Sequence, residues 1–275
     1  YMRANQITAL LFETARDIGE VGVDTVYGHG MLDLERATRP VGAELVPLSD
    51  GMTVALRTAH MTGGIAHNVK SENIKFAFVD SYGRAFDANL NDNISIKNRG
   101  IGFERLRDNN ETRMQFGNIE FGFKNTELLK GDGFLSTDSQ NTITFIGLNN
   151  TIQMGHATLF SRTTIGTMHP TASAESMING FSEIMTGSIT LGATMGDWTF
   201  TIGTTDTIID GNMYLRTPTG RRVNGEYTFA NHTIDMATRP PVEISASYKF
   251  MTAGFVDNPF GTDEVYVLAK TKLQF

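Results

Sequence analysis

The chain has 275 residues, with 30 Asp and Glu against 23 Lys and Arg, a net charge of −7 and an isoelectric point near 5.4. It has no cysteine, which excludes disulfide frameworks and thiolate chemistry, and no basic face is visible, which argues against nucleic acid as a partner. No run of roughly 18 apolar residues occurs, so no transmembrane helix is expected, and no secretion signal stands at Tyr1.

The first element is a helix. Ile7, Leu10, Leu11, Thr14 and Ala15 recur at helical spacing and make one apolar stripe, which Gly19 and Gly22 bring to an end. Gly28 and Gly30 frame a turn around His29, which has no serine or cysteine with an activating partner beside it in sequence. Arg36 and Arg39 close a short second helix at the end where positive charge is favoured. The stretch from Pro40 to Gly51 has two prolines and two glycines and reads as a linker. A first strand is expected over Met52 to Thr58, and a loop from His60 to Ser71.

From Asn73 the character is β. Ile74, Phe76 and Phe78 alternate with their neighbours, and Asp80 to Gly83 supply a turn in which Arg84 and Asp80 read as an ion pair. Strands are expected at Ile94 to Lys97, Gly100 to Arg105 and Arg113 to Lys124, the last with a phase slip at Gly117 that suggests a bulge or bend. Leu128 to Gln140 reads as loop. Thr142 to Gly147 and Thr151 to Arg162 flank Asn149-Asn150, a hairpin signal, and Ser188 to Met195 and Trp198 to Asp206 flank Gly196-Asp197, another. Pro170 to Gly180 has room for one helical turn. Met213 to Thr217, Gly225 to Asp235, Val242 to Met251 and Glu264 to Phe275 complete about a dozen expected strands.

Three stretches carry a family resemblance. Residues 5–42 hold Leu10, Leu11, Thr14, Ala15, Asp17 and Gly19, then Gly22, Val23, Asp24, Tyr27, Gly28, Gly30, Leu32, Asp33, Leu34, Arg36, Ala37, Pro40 and Gly42. This resembles the closing segment of a subtilisin-like serine protease (subtilase) catalytic domain. Asp80, Tyr82, Gly83, Arg84, Phe86 and Leu90 are similar to an element that follows the protease domain in autotransporter-type subtilases. Asn212 to Gly225 and Arg239 to Phe250 are similar to later elements of the same proteins, with Asn224 where aspartate is usual and Pro240-Pro241 ahead of the strand. The resemblance implies peptide hydrolysis by an Asp-His-Ser triad lying outside this chain, which itself has no catalytic residue.

The last stretch sharpens the reading. Val265, Val267, Ala269, Thr271, Leu273 and Phe275 share one face, and a final amphipathic strand ending on an aromatic resembles the insertion signal of bacterial outer-membrane barrels. Low charge, many glycines and long polar connections fit a barrel of about 12 strands, which is favoured over a β-sandwich. One tryptophan and seven tyrosines are thin material for aromatic girdles, and a sandwich needs only the same alternation.

His60 and His67 with Asp50 have the chemistry for zinc but stand in a loop without ligand spacing, and Asp206, Asp210 and Asn212 around Gly211 lack a full calcium loop. Arg216, Arg221 and Arg222 make a small basic patch that reads as a charged loop tip. No catalytic, cofactor-binding or metal-binding residue is assigned, and no cofactor is expected. The expected organisation is the end of a subtilase domain over 1–42, a linker over 43–72 and an antiparallel β-domain over 73–275. Such a chain serves as accessory, translocator or anchor for an upstream protease domain, at the bacterial outer membrane, cell surface or outside the cell. The barrel-assembly machinery and the membrane are its expected partners; a self-standing soluble β-rich binding or structural domain is the alternative.

Overall fold

The computed structural model describes residues 2–97, 111–126, 128–137 and 141–269. The protein is mainly β, and its sheets are antiparallel apart from one short parallel pair. The chain opens with helices α1 (Ala4–Thr14) and α2 (Leu34–Thr38). On α1 only Leu10 and Thr14 of the expected stripe are buried, while Ile7 and Phe12 are exposed. Asp33 caps α2 by accepting from the Arg36 amide.

The stretch expected to be linker over 43–72 is largely folded. It holds β1 (Leu45–Pro47), β2 (Thr53–Ala55), which falls inside the strand expected over Met52 to Thr58, then β3 (Ala59–Thr62) and helix α3 (Gly63–Ser71). A loop was expected from His60 to Ser71, a polar and glycine-bearing stretch, but Ile65, Ala66 and Val69 have helical spacing and all three are buried. Strands β4 (Lys75–Val79) and β5 (Ala85–Asn89) complete a four-stranded sheet in the order β2-β1-β4-β5. Strand β6 (Ile94–Lys97) falls where it is expected and pairs parallel with β3. The expected strand at Gly100 to Arg105 lies outside the described residues, as does the end of the last one beyond Ala269.

A ten-stranded sheet dominates the rest. Its members are β7 (Glu111–Phe116), β8 (Ile119–Thr126), β9 (Asn141–Met154), β10 (Ala157–Met168), β12 (Ile184–Met195), β13 (Trp198–Thr204), β17 (Val242–Tyr248), β18 (Met251–Asp257) and β19 (Glu264–Ala269), with β14 (Thr207–Asp210) beside β12. A three-stranded sheet is made by β11 (Ile178–Phe181), β15 (Asn212–Arg221) and β16 (Tyr227–Asp235). Strand β11 occupies part of the stretch read as a helical turn.

Several hairpins differ from the expectation. The stretch from Arg113 to Lys124 is two strands rather than one bulged strand: Phe116 faces Ile119 across Gly117-Asn118, and Gly117 has φ +60°. Strand β9 runs straight through Asn149-Asn150, and its turn is Gly155-His156, where Gly155 again has φ +60°. The side chain of Asn149 is engaged instead with Glu120. Strand β17 stops at Tyr248 and β18 returns after Lys249-Phe250, so the expected single strand to Met251 is also a hairpin. The Gly196-Asp197 hairpin forms as expected.

These four tight turns all lie at one end of the large sheet, as its antiparallel order requires. The longer connections, which carry the three-stranded sheet, lie at the other end. The hydrophobic core lies there too: Phe76, Met61, Phe134, Leu135, Met213 and Leu215 pack with Ile143, Met168 and Ile184, which come from the large sheet's strands where they meet that end. Among the described residues no ladder joins β7 to β19, so a closed barrel is not formed by them.

Candidate functional site

Strand β8 shows how the sequence builds two different surfaces. Ile119, Phe121 and Phe123 point to one face and are 43–51% exposed, while Glu120, Gly122 and Lys124 point to the other. Register carries this alternation across the sheet. Phe121 lies beside Ile146, and Ile146 beside Ile165; Leu191, Ile202, Ile244, Phe255 and Val265 continue in a second row. More than twenty large apolar side chains of the sheet are exposed on this first face, including Trp198 and Tyr248, whose rings lie 4.8 Å apart near the tight turns. Polar pairs interrupt it at Asn150 opposite Ser161 and at Thr144 opposite Thr167. A monomer in water rarely exposes a continuous apolar surface of this kind.

The second face is polar. Glu120 is 1% exposed and accepts from Arg162 Nε at 2.6 Å and from Asn149 Nδ2 at 3.0 Å, with Arg113 Nη1 3.8 Å away. Arg162 Nη2 reaches Glu111 Oε1 at 2.7 Å. Lys124 pairs with Asp206, and its ammonium stands 5.3 Å from the Phe145 ring centre. Burying Glu120 is tolerable because its charge is paired and its oxygens are hydrogen-bonded. Farther along the same face Thr164 bonds Ser188 at 2.7 Å and Thr201 bonds Ser245 at 2.6 Å. Large rings lie over glycines here: Phe160 covers Gly192 and Tyr266 covers Gly254, where a Cβ would overlap each ring.

A third feature joins the helical segment to the β structure. The Asp80 carboxylate has no exposed side-chain surface and accepts from Arg84 Nη2 at 2.7 Å and Nε at 2.9 Å, and from the amides of Tyr82, Arg84 and Val41. Burial pushes this carboxyl up, but the Arg84 guanidinium and the Arg84 and Val41 amides outweigh burial and hold it below its ordinary value. Arg84 also donates to the carbonyls of Ala37 and Arg39 at the end of α2, the latter at 2.8 Å. Tyr82 Oη donates to Glu13, a bond that raises the phenol's pKa.

The other candidate residues are dispersed. His29 stacks on Phe12 at 4.0 Å. His60 Nδ1 is 3.2 Å from Asp132, His67 lies by Phe260, and Asp50 accepts from the Met52 amide. Among the described residues no three of His, Asp and Glu cluster as metal ligands. Asp206 is turned to Lys124, and the Asn212 amide donates to Ser182. Arg216 lies over Phe229, away from Arg221 and Arg222, which are joined instead by Arg84 around one cavity. The Glu120–Arg162 cluster was missed by sequence reasoning, although Glu120 stands alone between Ile119 and Phe121 in an alternating strand.

The chain is 37% identical over 70 residues to Serotype-specific antigen 1 of Mannheimia haemolytica. Those residues make up 26% of this chain and span 7% of that protein's length. No protein-family model and no solved structure matches the chain.

Proposed function

We propose that this chain is the non-catalytic C-terminal part of a secreted subtilisin-like serine protease, and that it serves as an outer-membrane translocator or anchor built on a β-barrel. The observation that carries the reading is the exposed apolar face of the large sheet set against a polar opposite face. Outer-membrane barrels face lipid with apolar residues, keep polar residues inside, and have short turns at one end and long connections at the other. From Ile146 to Met154 the outward face of β9 covers eight residue steps, about 27 Å along the strand. Tilted by about 40°, that is about 20 Å of membrane normal, close to the apolar band of such barrels at about 25 Å. Trp198, Tyr248 and Phe250 near the tight turns suit the interface at that end.

The resemblance of residues 5–42 to the end of a subtilase domain supplies the other half of the reading. The Asp80–Arg84 turn would hold that segment against the anchor. The similarity to a protein named a serotype-specific antigen is in keeping with the cell surface. In this reading peptide hydrolysis belongs to the upstream protease domain, and the isolated chain gives no turnover of casein above a blank.

The alternative, a self-standing soluble β-rich binding or structural domain, draws on the buried core around Phe76 and Phe134 and on the edges β7 and β19, which do not meet among the described residues. Detergent decides between them. A membrane barrel stays monodisperse only with detergent and migrates differently on gels before and after heating. A chain that is monodisperse without detergent, with unchanged migration, overturns the anchor reading.

A further inference from the structure

The arginines that line one cavity differ in how their charges are met. Tyr82, Gly83, Arg84, Arg221, Arg222 and Val223 surround a cavity of about 310 Å³ between the Asp80–Arg84 turn and the end of the β15–β16 hairpin. Arg84 is neutralised by Asp80. Arg222 has Glu226 at 3.7 Å, which is beyond hydrogen-bond reach, and both are about two-thirds exposed. Arg221 has no carboxylate partner among the described residues, yet its guanidinium is held by three contacts. Its Nε donates to the Gly225 carbonyl at 2.9 Å, its Nη1 to the Gly83 carbonyl at 3.0 Å, and its guanidinium lies 5.4 Å from the Tyr227 ring centre.

The geometry points to an oxyanion site: the cavity takes a carboxylate or phosphate group, with Arg221 as its fixed donor and Arg222 swinging from Glu226 to complete the grip. The three constraints on Arg221 leave both Nη2 hydrogens and the second Nη1 hydrogen unused, and remove much of the entropy a free arginine would lose on binding. An oxyanion also supplies the negative charge that no described side chain gives this guanidinium. The Tyr82 ring and Val223 offer apolar surface to whatever bears the oxyanion. This inference does not depend on the membrane reading, because the cavity lies between the smaller sheets.

The test is calorimetric titration of the full chain with inorganic phosphate and, separately, with acetate, in chloride buffer. Saturable binding of one equivalent of either is expected, and the arm that binds tells phosphate from carboxylate. Arg221→Gln is expected to weaken it at least about tenfold, the scale of a lost charge-assisted contact. Arg216→Gln, on the Phe229 ring, leaves it unchanged. If Arg221→Gln does not fold, by circular dichroism against the parent chain, Arg222→Gln carries the test and is expected to weaken binding as well. No saturable binding in either arm, or binding that a folded Arg221→Gln chain (or, failing that, Arg222→Gln) leaves intact, overturns the proposal.

Discussion

Arg84 spans two parts of the chain: its guanidinium closes on the buried Asp80 carboxylate at 2.7 Å and, with its remaining donors, takes up the Ala37 and Arg39 carbonyls that end α2. The last carbonyls of a helix have no partner within it, so a cation placed there satisfies them and meets the negative end of the helix dipole. Replacing Arg84 by Ala leaves Asp80 buried without its counter-charge. The expected loss is about 3 kcal/mol, typical of breaking a buried pair by removing one partner. Urea unfolding of the variant measures it, and hydrogen exchange at the Val41 amide, which donates to Asp80, is expected to quicken with it.

The same carboxylate sets an acid limit on the docking of the helical segment. Asp80 is held below its ordinary value of 3.8 in the folded chain. A depressed carboxyl contributes stability that is fully present above the unfolded value and is lost as pH falls through the folded one. The segment is therefore expected to stay docked from neutral pH down to the ordinary carboxylate range and to loosen only below it. Limited proteolysis after exposure to descending pH reads this, with cleavage expected to appear between Gly19 and Gly42 first. In Asp80→Asn the acid-dependent step disappears, and cleavage that still tracked pH in that variant would contradict the assignment.

The Asp80–Arg84 pair was legible in sequence because its partners are four residues apart in one turn. The carbonyls it also binds were not, since they belong to a segment more than 40 residues away. Turn chemistry was legible where glycine opens the turn between two clear runs, as at Gly196-Asp197. It misled at Asn149-Asn150, where the asparagines are ladder residues and one serves Glu120 across the sheet. It was silent at Lys249-Phe250, because Lys249 takes a positive φ that lysine rarely adopts and no glycine marks it. Helix α3 was hidden behind two glycines whose low propensity is overridden by burial of Ile65, Ala66 and Val69. Alternation identified which residues share a face, but not whether lipid, water or another sheet covers it, since all three obey period two.

The glycines under aromatic rings give a steric prediction. A Cβ at residue 192 would overlap the Phe160 ring, which lies across the neighbouring strand. Gly192→Val is expected to cost about 1–3 kcal/mol, the usual penalty for overpacking. Truncating the ring in Gly192→Val/Phe160→Ala removes the clash, so the double variant is expected to be less destabilised than the sum of the two single changes. A double-mutant cycle by urea unfolding measures that coupling, and strict additivity would mean the ring does not rest on the glycine.

Arg162 joins Glu120 and Glu111 on the polar face of the sheet. Arg162→Met keeps the length of the side chain but leaves the buried Glu120 with only the 3.8 Å contact to Arg113 and the Asn149 amide. A loss of about 3 kcal/mol is expected in urea unfolding. Changing Glu120 to Gln in the same chain removes the uncompensated charge and is expected to recover part of that loss. Recovery distinguishes an electrostatic role from simple packing by the arginine stem, which Met would already replace.

Position 202 separates the two readings of the apolar face most directly. Ile202 is 47% exposed and sits in the row of Leu191, Ile244, Phe255 and Val265, two outward rows beyond Trp198 and the turn. If lipid covers this face, Ile202→Arg places a cation toward the middle of the apolar band, at an expected cost of about 2–4 kcal/mol. The same change at Met195, next to the turn, then costs about 0–1 kcal/mol because the side chain reaches the interface. If water covers the face, both changes lie within about 0.5 kcal/mol of the parent, as surface substitutions do. Unfolding of the two variants in detergent and in lipid vesicles gives the comparison. A depth-dependent penalty supports the anchor, whereas two equal and small effects leave the large sheet a surface in water and return attention to the alternative domain.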